Sequence, residues 1–375
     1  MTAASIVGVG EASYRRHSPP GTTTEELLAD AFRLALADAG LTPRAVDGLA
    51  VASFTLAPDT AIDLAWKLGL RLTWLSQAHL GGASALEMLR QAIRAIEAGD
   101  ATVVVVLGGD RFVREEFAGV STRFNRTVAE ELVPIGYTGP NAPFALLTQR
   151  HMRAHDLRRE DYAAIPIRQR QWASGNPGAV YRSPLSLDEY LDAPLVAPPL
   201  CIYDCVPRVS GADAVVLSAE KGRSVKVRAL AASYNYDGQE GDGLRTGLTE
   251  LASSLWEESG RGPEEIDVFS IYDDYPAMVL IQLADLGIAP DPGRFLATEL
   301  GQKHINTSGG QLSAGQAGAA GGMHGLVEAI RQLRGIAKGR QVAGVRRALV
   351  TGYGMLPYRY GACSTAAVLE VESGR

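Results

Sequence analysis

The chain has 375 residues, 46% of them hydrophobic and 21% charged, which is enough for two or three domains around large buried cores. Its net charge of −6, from 36 basic and 42 acidic residues, argues against a nucleic-acid platform with a basic stripe. No apolar run reaches the length of a membrane span, the N-terminal MTAASIVGVG lacks a signal-peptide layout, and the three cysteines (201, 205 and 363) form neither a disulfide frame nor a zinc pattern, so a reducing, cytoplasmic setting without metal is expected.

Taken in chain order, residues 6–9 read as a short apolar strand. Thr24-Glu25-Glu26 opens an amphipathic helix that runs to Ala39 and stops at Gly40. A second apolar run covers 49–53. Residues 83–98 form a helix whose Leu86, Leu89, Ile93 and Ile96 recur at three- and four-residue steps. The run ATVVVVL at 101–107 has the all-apolar character of a strand buried on both faces. Gly8-Val9-Gly10 is not a dinucleotide fingerprint, because no third glycine follows at the required spacing. Alternating strands and helices of this kind predict an α/β fold.

The pattern then repeats. Residues 38–49 (DAGLTPRAVDGL) and 258–269 (ESGRGPEEIDVF) each end a helix at glycine, place proline three residues on, and enter an apolar strand. Glycine-rich loop, helix and strand follow at 81–107 and again at 315–350, where the helix covers 326–333 and the strand 348–350. GADAVVL at 211–217 is echoed by ACSTAAVL at 362–369. The halves differ in one connection, so residues of about 113–200 are an insertion in the first half, the kind of long segment that covers active sites. The expected division is 1–220 and 221–375.

Several stretches together resemble the thiolase superfamily, most closely its sterol-carrier-protein branch and the thiolase-like steroid side-chain aldolases. ASGNP at 173–177 is similar to the family's A-x-x-N-P. DCVPRVSGADAVVL at 204–217 resembles its D-G-A-x-A-x-x-L strand. YDDYPAMVLIQLADLG at 272–287 resembles YDxF…QLEDLG, and residues 306–322 resemble N-x-S-G-G-x-L-x-x-G-x-x-G-x-x-G. The resemblance implies a duplicated thiolase fold, two α/β halves in αβαβα layers with a loop-domain insertion in the first. It also implies an acyl-CoA substrate with no separate cofactor, a homodimer paired through edge-like strands such as 101–107, and a small zinc-ribbon/OB-fold acyl-CoA-binding partner.

The thiolase reaction set is missing. Gly82-Ala83-Ser84-Ala85 stands where the family carries the nucleophile motif C-A-S-G, Gly315-Gln316-Ala317 where it carries G-H-P, and Thr351-Gly352-Tyr353-Gly354 where it carries C-x-G. Covalent acyl transfer by that route is lost. The resemblance makes Tyr272 a catalytic acid/base, and puts Gly322 where the aldolases have a second tyrosine; Tyr353 is the candidate substitute. Asp273 is a neighbour of the phenol that would raise its pKa. Backbone N–H groups at Gly82 and Gly354, or the Gln316 amide, could stabilise an enolate. Ser84, Gly309 and Gly310 are expected along the substrate site. His324 has a packing and a catalytic reading, and His304 could also face the site. The RQRQW run at 168–172 and Arg182 could meet a CoA phosphate or form a solvated face. Retro-aldol cleavage of a β-hydroxyacyl-CoA, a Claisen-type acyltransferase with Ser84 near the lost cysteine, and a silent thiolase-like subunit are the three functions open at this point.

Overall fold

The computed structural model of the chain describes residues 4–113, 119, 122, 125–219, 225–356 and 359–371. Its strands are β1 (Ser5–Arg15), β2 (Gly48–Ala52), β3 (Trp74–Gln77), β4 (Val103–Asp110), β5 (Leu195–Ala197), β6 (Leu200–Cys201), β7 (Ser210–Ser218), β8 (Val225–Tyr234), β9 (Val268–Ser270), β10 (Arg347–Gly354) and β11 (Cys363–Val371). Nine of them make a mixed sheet in the order β3-β2-β4-β7-β1-β8-β11-β10-β9. Apart from β3, the order is mirrored about the β1–β8 junction. The series β1, β7, β4, β2 pairs antiparallel, antiparallel, parallel, and the series β8, β11, β10, β9 does the same. The two series are joined by the Ile6–Val225 pairing. The repeated prolines open matching 3₁₀ turns, Pro43–Ala45 and Pro263–Glu265, just ahead of β2 and β9.

Alternation along the strands builds the layers, because successive side chains point to opposite faces. Val103, Val105 and Leu107 of β4 face an outer core with the helices Thr24–Ala39 and Ala61–Lys67. Val104 and Val106 face a central core shared with the helices Ser84–Ala98 and Gly321–Leu333, and Ala348 and Val350 of β10 enter that core from the other half. Leu349 of β10 points instead to a third core with the helices Leu248–Ser259 and Pro276–Asp285. The result is helix, sheet, helix, sheet, helix.

Two sequence expectations shift. The first strand is eleven residues, not four. Gly8 and Gly10 lower its strand propensity, yet both are required, since a Cβ would lie 2.4 Å from the Ala35 carbonyl oxygen and 2.3 Å from that of Ala31. Residues 101–107 are not an edge: β4 is hydrogen-bonded to β2 and β7, and the free edge of that half is β3. The expected boundary at 220/221 lies outside the described residues. The insertion between β4 and β7 carries the helices Asn141–His155 and Ala164–Ser174 and the β5–β6 hairpin. It is tied to the second half by Asn176, whose Nδ2 donates to the Ser308 carbonyl at 2.8 Å, and by Tyr181 N–H to the Ser313 carbonyl at 3.0 Å.

Candidate active site

The two central helices begin where the halves meet. Gly82 lies in the turn before Ser84–Ala98, and Gly322 in the first turn of Gly321–Leu333. A Cβ at Gly322 would stand 2.0 Å from the Gly82 carbonyl oxygen, so neither the family tyrosine nor any other side chain fits there on this backbone. A cleft opens beside this junction. Its walls are largely apolar, with Phe54, Phe144 and Leu356, and its polar groups include Tyr272, Asp274 and Gln316.

Tyr272 follows β9, and its main chain is fixed from two sides. Its N–H donates to Thr351 Oγ1 at 2.9 Å and its carbonyl accepts from Gln282 Nε2 at 2.7 Å. Thr351 Oγ1 in turn donates to Gln282 Oε1 at 2.7 Å. Thus Thr351, at the position of the second thiolase cysteine, orients the tyrosine. The ring packs against Gly82, where a Cβ would come within 2.1 Å of Cε2 and 2.5 Å of the phenol oxygen. A nucleophilic cysteine at 82 and Tyr272 in this position exclude one another.

The phenol oxygen accepts from Gln316 Nε2 at 3.2 Å, and the Asp274 carboxylate lies close enough for its charge to act on the phenol. The same Gln316 nitrogen donates to Asp274 Oδ1 at 2.8 Å and to Gln311 Oε1 at 3.0 Å. So Gln316, at the family histidine's place, bridges the two acids. Burial first, then the Asp274 charge, holds the Tyr272 pKa well above 10, which keeps it a neutral phenol. Burial pushes Asp274 up to about 7 despite its hydrogen bonds.

The other expected residues divide. Tyr353, Gly82 and Gly354 do line the cleft. The Tyr353 oxygen accepts the Gly361 N–H at 2.6 Å, and its ring meets Phe144 edge-on, so it is part of the wall. Asp273 turns away. It accepts the N–H groups of Gln311 and Leu312 at 3.0 and 3.3 Å, capping the short helix Gly310–Ala314, although burial raises its pKa to about 7. Gly309 and Gly310 are the left-handed turn into that helix, packed on Ala173 and Asp273 and not on the cleft. Ser84 Oγ accepts the Leu80 N–H at 2.9 Å and is buried in the turn. His324 is buried behind Tyr272, bonded to Ser308 Oγ at 2.8 Å, with its pKa lowered by burial, and it does not line the cleft. His304 packs edge-on to Trp172 and is also outside the cleft. The three cysteines are free and outside the cleft, and burial pushes Cys205 to about 12 and Cys363 to about 11.

Sequence reasoning overlooked Asp274. The signal was present, because in an extended run residues i and i+2 share a side, which pairs Tyr272 with Asp274 and sends Asp273 to the other face. It also overlooked Asp110, buried at the end of β4. Asp110 Oδ1 accepts from Ser53 Oγ, Phe54 N–H, Thr55 N–H and Thr55 Oγ1, and Oδ2 accepts from Ala319 N–H, all at 2.7 Å. It pins the Phe54 wall to the turn that carries Gln316.

A family model described as "Thiolase C-terminal domain-like" matches residues 231–369. A 17-hydroxy-3-oxo-4-pregnene-20-carboxyl-CoA lyase of Mycobacterium tuberculosis is 34% identical over 93% of this chain and 95% of its own. The chain belongs to the thiolase superfamily, in the branch of the thiolase-like aldolases. A steroid side-chain-cleaving aldolase of Thermomonospora curvata is 30% identical, covering 93% of this chain and 94% of its own. The solved structure of an Ltp2-ChsH2(DUF35) aldolase superimposes with a TM-score of 0.83 at 28% identity, over 99% of this chain and 98% of that one. Within this superfamily, the present member has Tyr272 packed over the glycine that stands at the nucleophile's position.

Proposed function

We propose that the protein is a carbon–carbon lyase, a thiolase-like aldolase that cleaves the Cα–Cβ bond of a β-hydroxyacyl-CoA thioester from the side chain of a steroid or similar ring system. The observation that carries this reading is the Tyr272 ring lying on Gly82, with the phenol, Asp274 and Gln316 at the head of an apolar cleft. A base draws the β-hydroxyl proton, the Cα–Cβ bond breaks, a ketone or aldehyde leaves, and its electrons form the thioester enolate. The enolate is then protonated at Cα. No covalent enzyme intermediate is needed, and the cleft, among the described residues, offers no thiol to make one. The apolar walls suit a polycyclic leaving group. Enolate stabilisation falls to donors at the junction, the Gly82 and Gly354 backbone or the Gln316 amide, each worth about 10²–10³ in rate.

The active assembly we propose is a homodimer with a small DUF35-type acyl-CoA-binding partner. Support for the partner is the likeness to the Ltp2-ChsH2(DUF35) aldolase. Support for the dimer is the free β3 edge with half-exposed Leu75, beside Ile62 and Trp66 on Ala61–Lys67, which are 60% and 79% exposed. No helix among the described residues is long and apolar enough to cross a membrane, and we place the enzyme in the cytoplasm with its free thiols. The test is release of ketone or aldehyde from a β-hydroxyacyl-CoA by the protein with its partner, alongside intact mass after acyl-CoA incubation. Release without an acyl adduct is expected; an adduct without release makes it an acyltransferase.

A further inference from the structure

Resting on the aldolase reading, we infer that Asp274 stores the substrate's proton: Tyr272 takes the β-hydroxyl proton as it passes its own to the Asp274 carboxylate, and the same path returns a proton to Cα of the enolate. The atoms balance. The O–H bond of the substrate and the O–H bond of Tyr272 break as a new Tyr272 O–H and an Asp274 O–H form. The Cα–Cβ electron pair becomes the enolate. The Asp274 proton then goes back to Tyr272 as the phenol protonates Cα, which leaves the enzyme as it began.

The geometry requires such an acceptor. Tyr272 is a neutral phenol, and among the described residues no cation is bonded to it, so it cannot hold a second proton or act as a base unaided. Asp274 lines the same cleft as that phenol and shares the Gln316 amide nitrogen with it, at 2.8 Å from Asp274 Oδ1 and 3.2 Å from the phenol oxygen. Gln316 is a neutral donor to both oxygens and tolerates the carboxyl in either state, where a cation would lock it ionised. The groups around Asp274 are few. Tyr275 on its own segment and Tyr353 of β10 are neutral phenols that feel its charge. The Asp273 carboxylate is turned to its helix end and also feels Asp274. Cys205, Arg208 and Tyr137 act on Tyr275, and Tyr137 lines the same cleft. Burial raises the carboxyl to about 7, where both states are populated at neutral pH.

Asp274 occupies the unspecified position of YDxF, so the motif alone does not supply this carboxylate. A carboxylate that merely braced the loop would leave the pH profile alone, so that profile is the readout. Wild type is expected to show kcat/KM rising with pH to a plateau, with a midpoint at about 7. In Asp274→Asn the rising limb should vanish and the plateau fall by about 10²–10⁴. Asp274→Glu should restore part of the rate and the limb. A limb that persists in Asp274→Asn overturns the inference. A second measurement needs no substrate: infrared difference titration should show carboxyl intensity from Asp273 and Asp274 near that midpoint, with the Asp274 part lost in Asp274→Asn, and the tyrosine C–O band moving at the same pH, that movement lost in both Asp274→Asn and Tyr272→Phe. Bands absent from wild type refute the proton store. Bands present in a wild type that releases no ketone refute the aldolase reading instead.

Discussion

Gly82→Ala adds one methyl group at the point where the thiolase nucleophile would begin. Its Cβ would lie 2.1 Å from Tyr272 Cε2 and 2.2 Å from Cζ. Carbon atoms rest at about 3.5–4.0 Å, so ring and turn must separate by roughly 1.5 Å. The ring cannot absorb this by sliding its backbone, which Thr351 and Gln282 hold at 2.9 and 2.7 Å. Overpacking of this kind costs about 1–3 kcal/mol. Displacing a reacting group by about 1 Å costs on the order of 10²-fold in rate. The expected result is a folded protein with a lower melting temperature and ketone release reduced at least a hundredfold, the loss falling on kcat. Because the effect passes through the phenol, Gly82→Ala should cost little further rate in a Tyr272→Phe background. Calorimetry and steady-state product release on the two single variants and the double variant decide it. Wild-type turnover in a folded Gly82→Ala, or fully additive losses in the double variant, refutes the coupling of Gly82 to Tyr272.

Tyr272→Phe keeps the ring and leaves Gln316 Nε2 bonded to Asp274 and Gln311; product release should fall by about 10²–10⁴ with stability changed by no more than about 1.5 kcal/mol. Tyr353→Phe deletes the acceptor of the Gly361 N–H, so melting should show a loss of about 1–3 kcal/mol with less than a tenfold effect on turnover; the reverse balance would move the proton chemistry to that turn. Asp110→Asn presents an amide to the Ala319 N–H while keeping Oδ1 for Ser53 and Thr55; a loss of about 1–3 kcal/mol is expected, and Asp110→Glu is the control for charge without fit. The triple change of Cys201, Cys205 and Cys363 to Ala should retain most activity, and a folded triple variant a hundredfold slower would assign a thiol to the reaction.

The sequence by itself determined the duplicated α/β fold, because repeated Gly-to-Pro spacing and apolar runs are local facts that register without any knowledge of packing. It also determined the loss of the thiolase chemistry, since an absent cysteine or histidine is legible at a glance, and it singled out Tyr272. Only the tertiary structure decided which polar groups meet that phenol. Asp273 and Asp274 are adjacent and chemically identical; the helix end at Gln311 and Leu312 claims the first, and the cleft receives the second. Likewise β4 reads as an apolar strand from sequence, but its place inside the sheet, with β3 as the edge, depends on pairing across more than a hundred residues. Glycine carries no pattern that says why it is there. Gly82 and Gly322 mark the contact of two helix starts from opposite halves, and that close approach, which seats Tyr272 where a nucleophile would stand, exists only once the halves have docked.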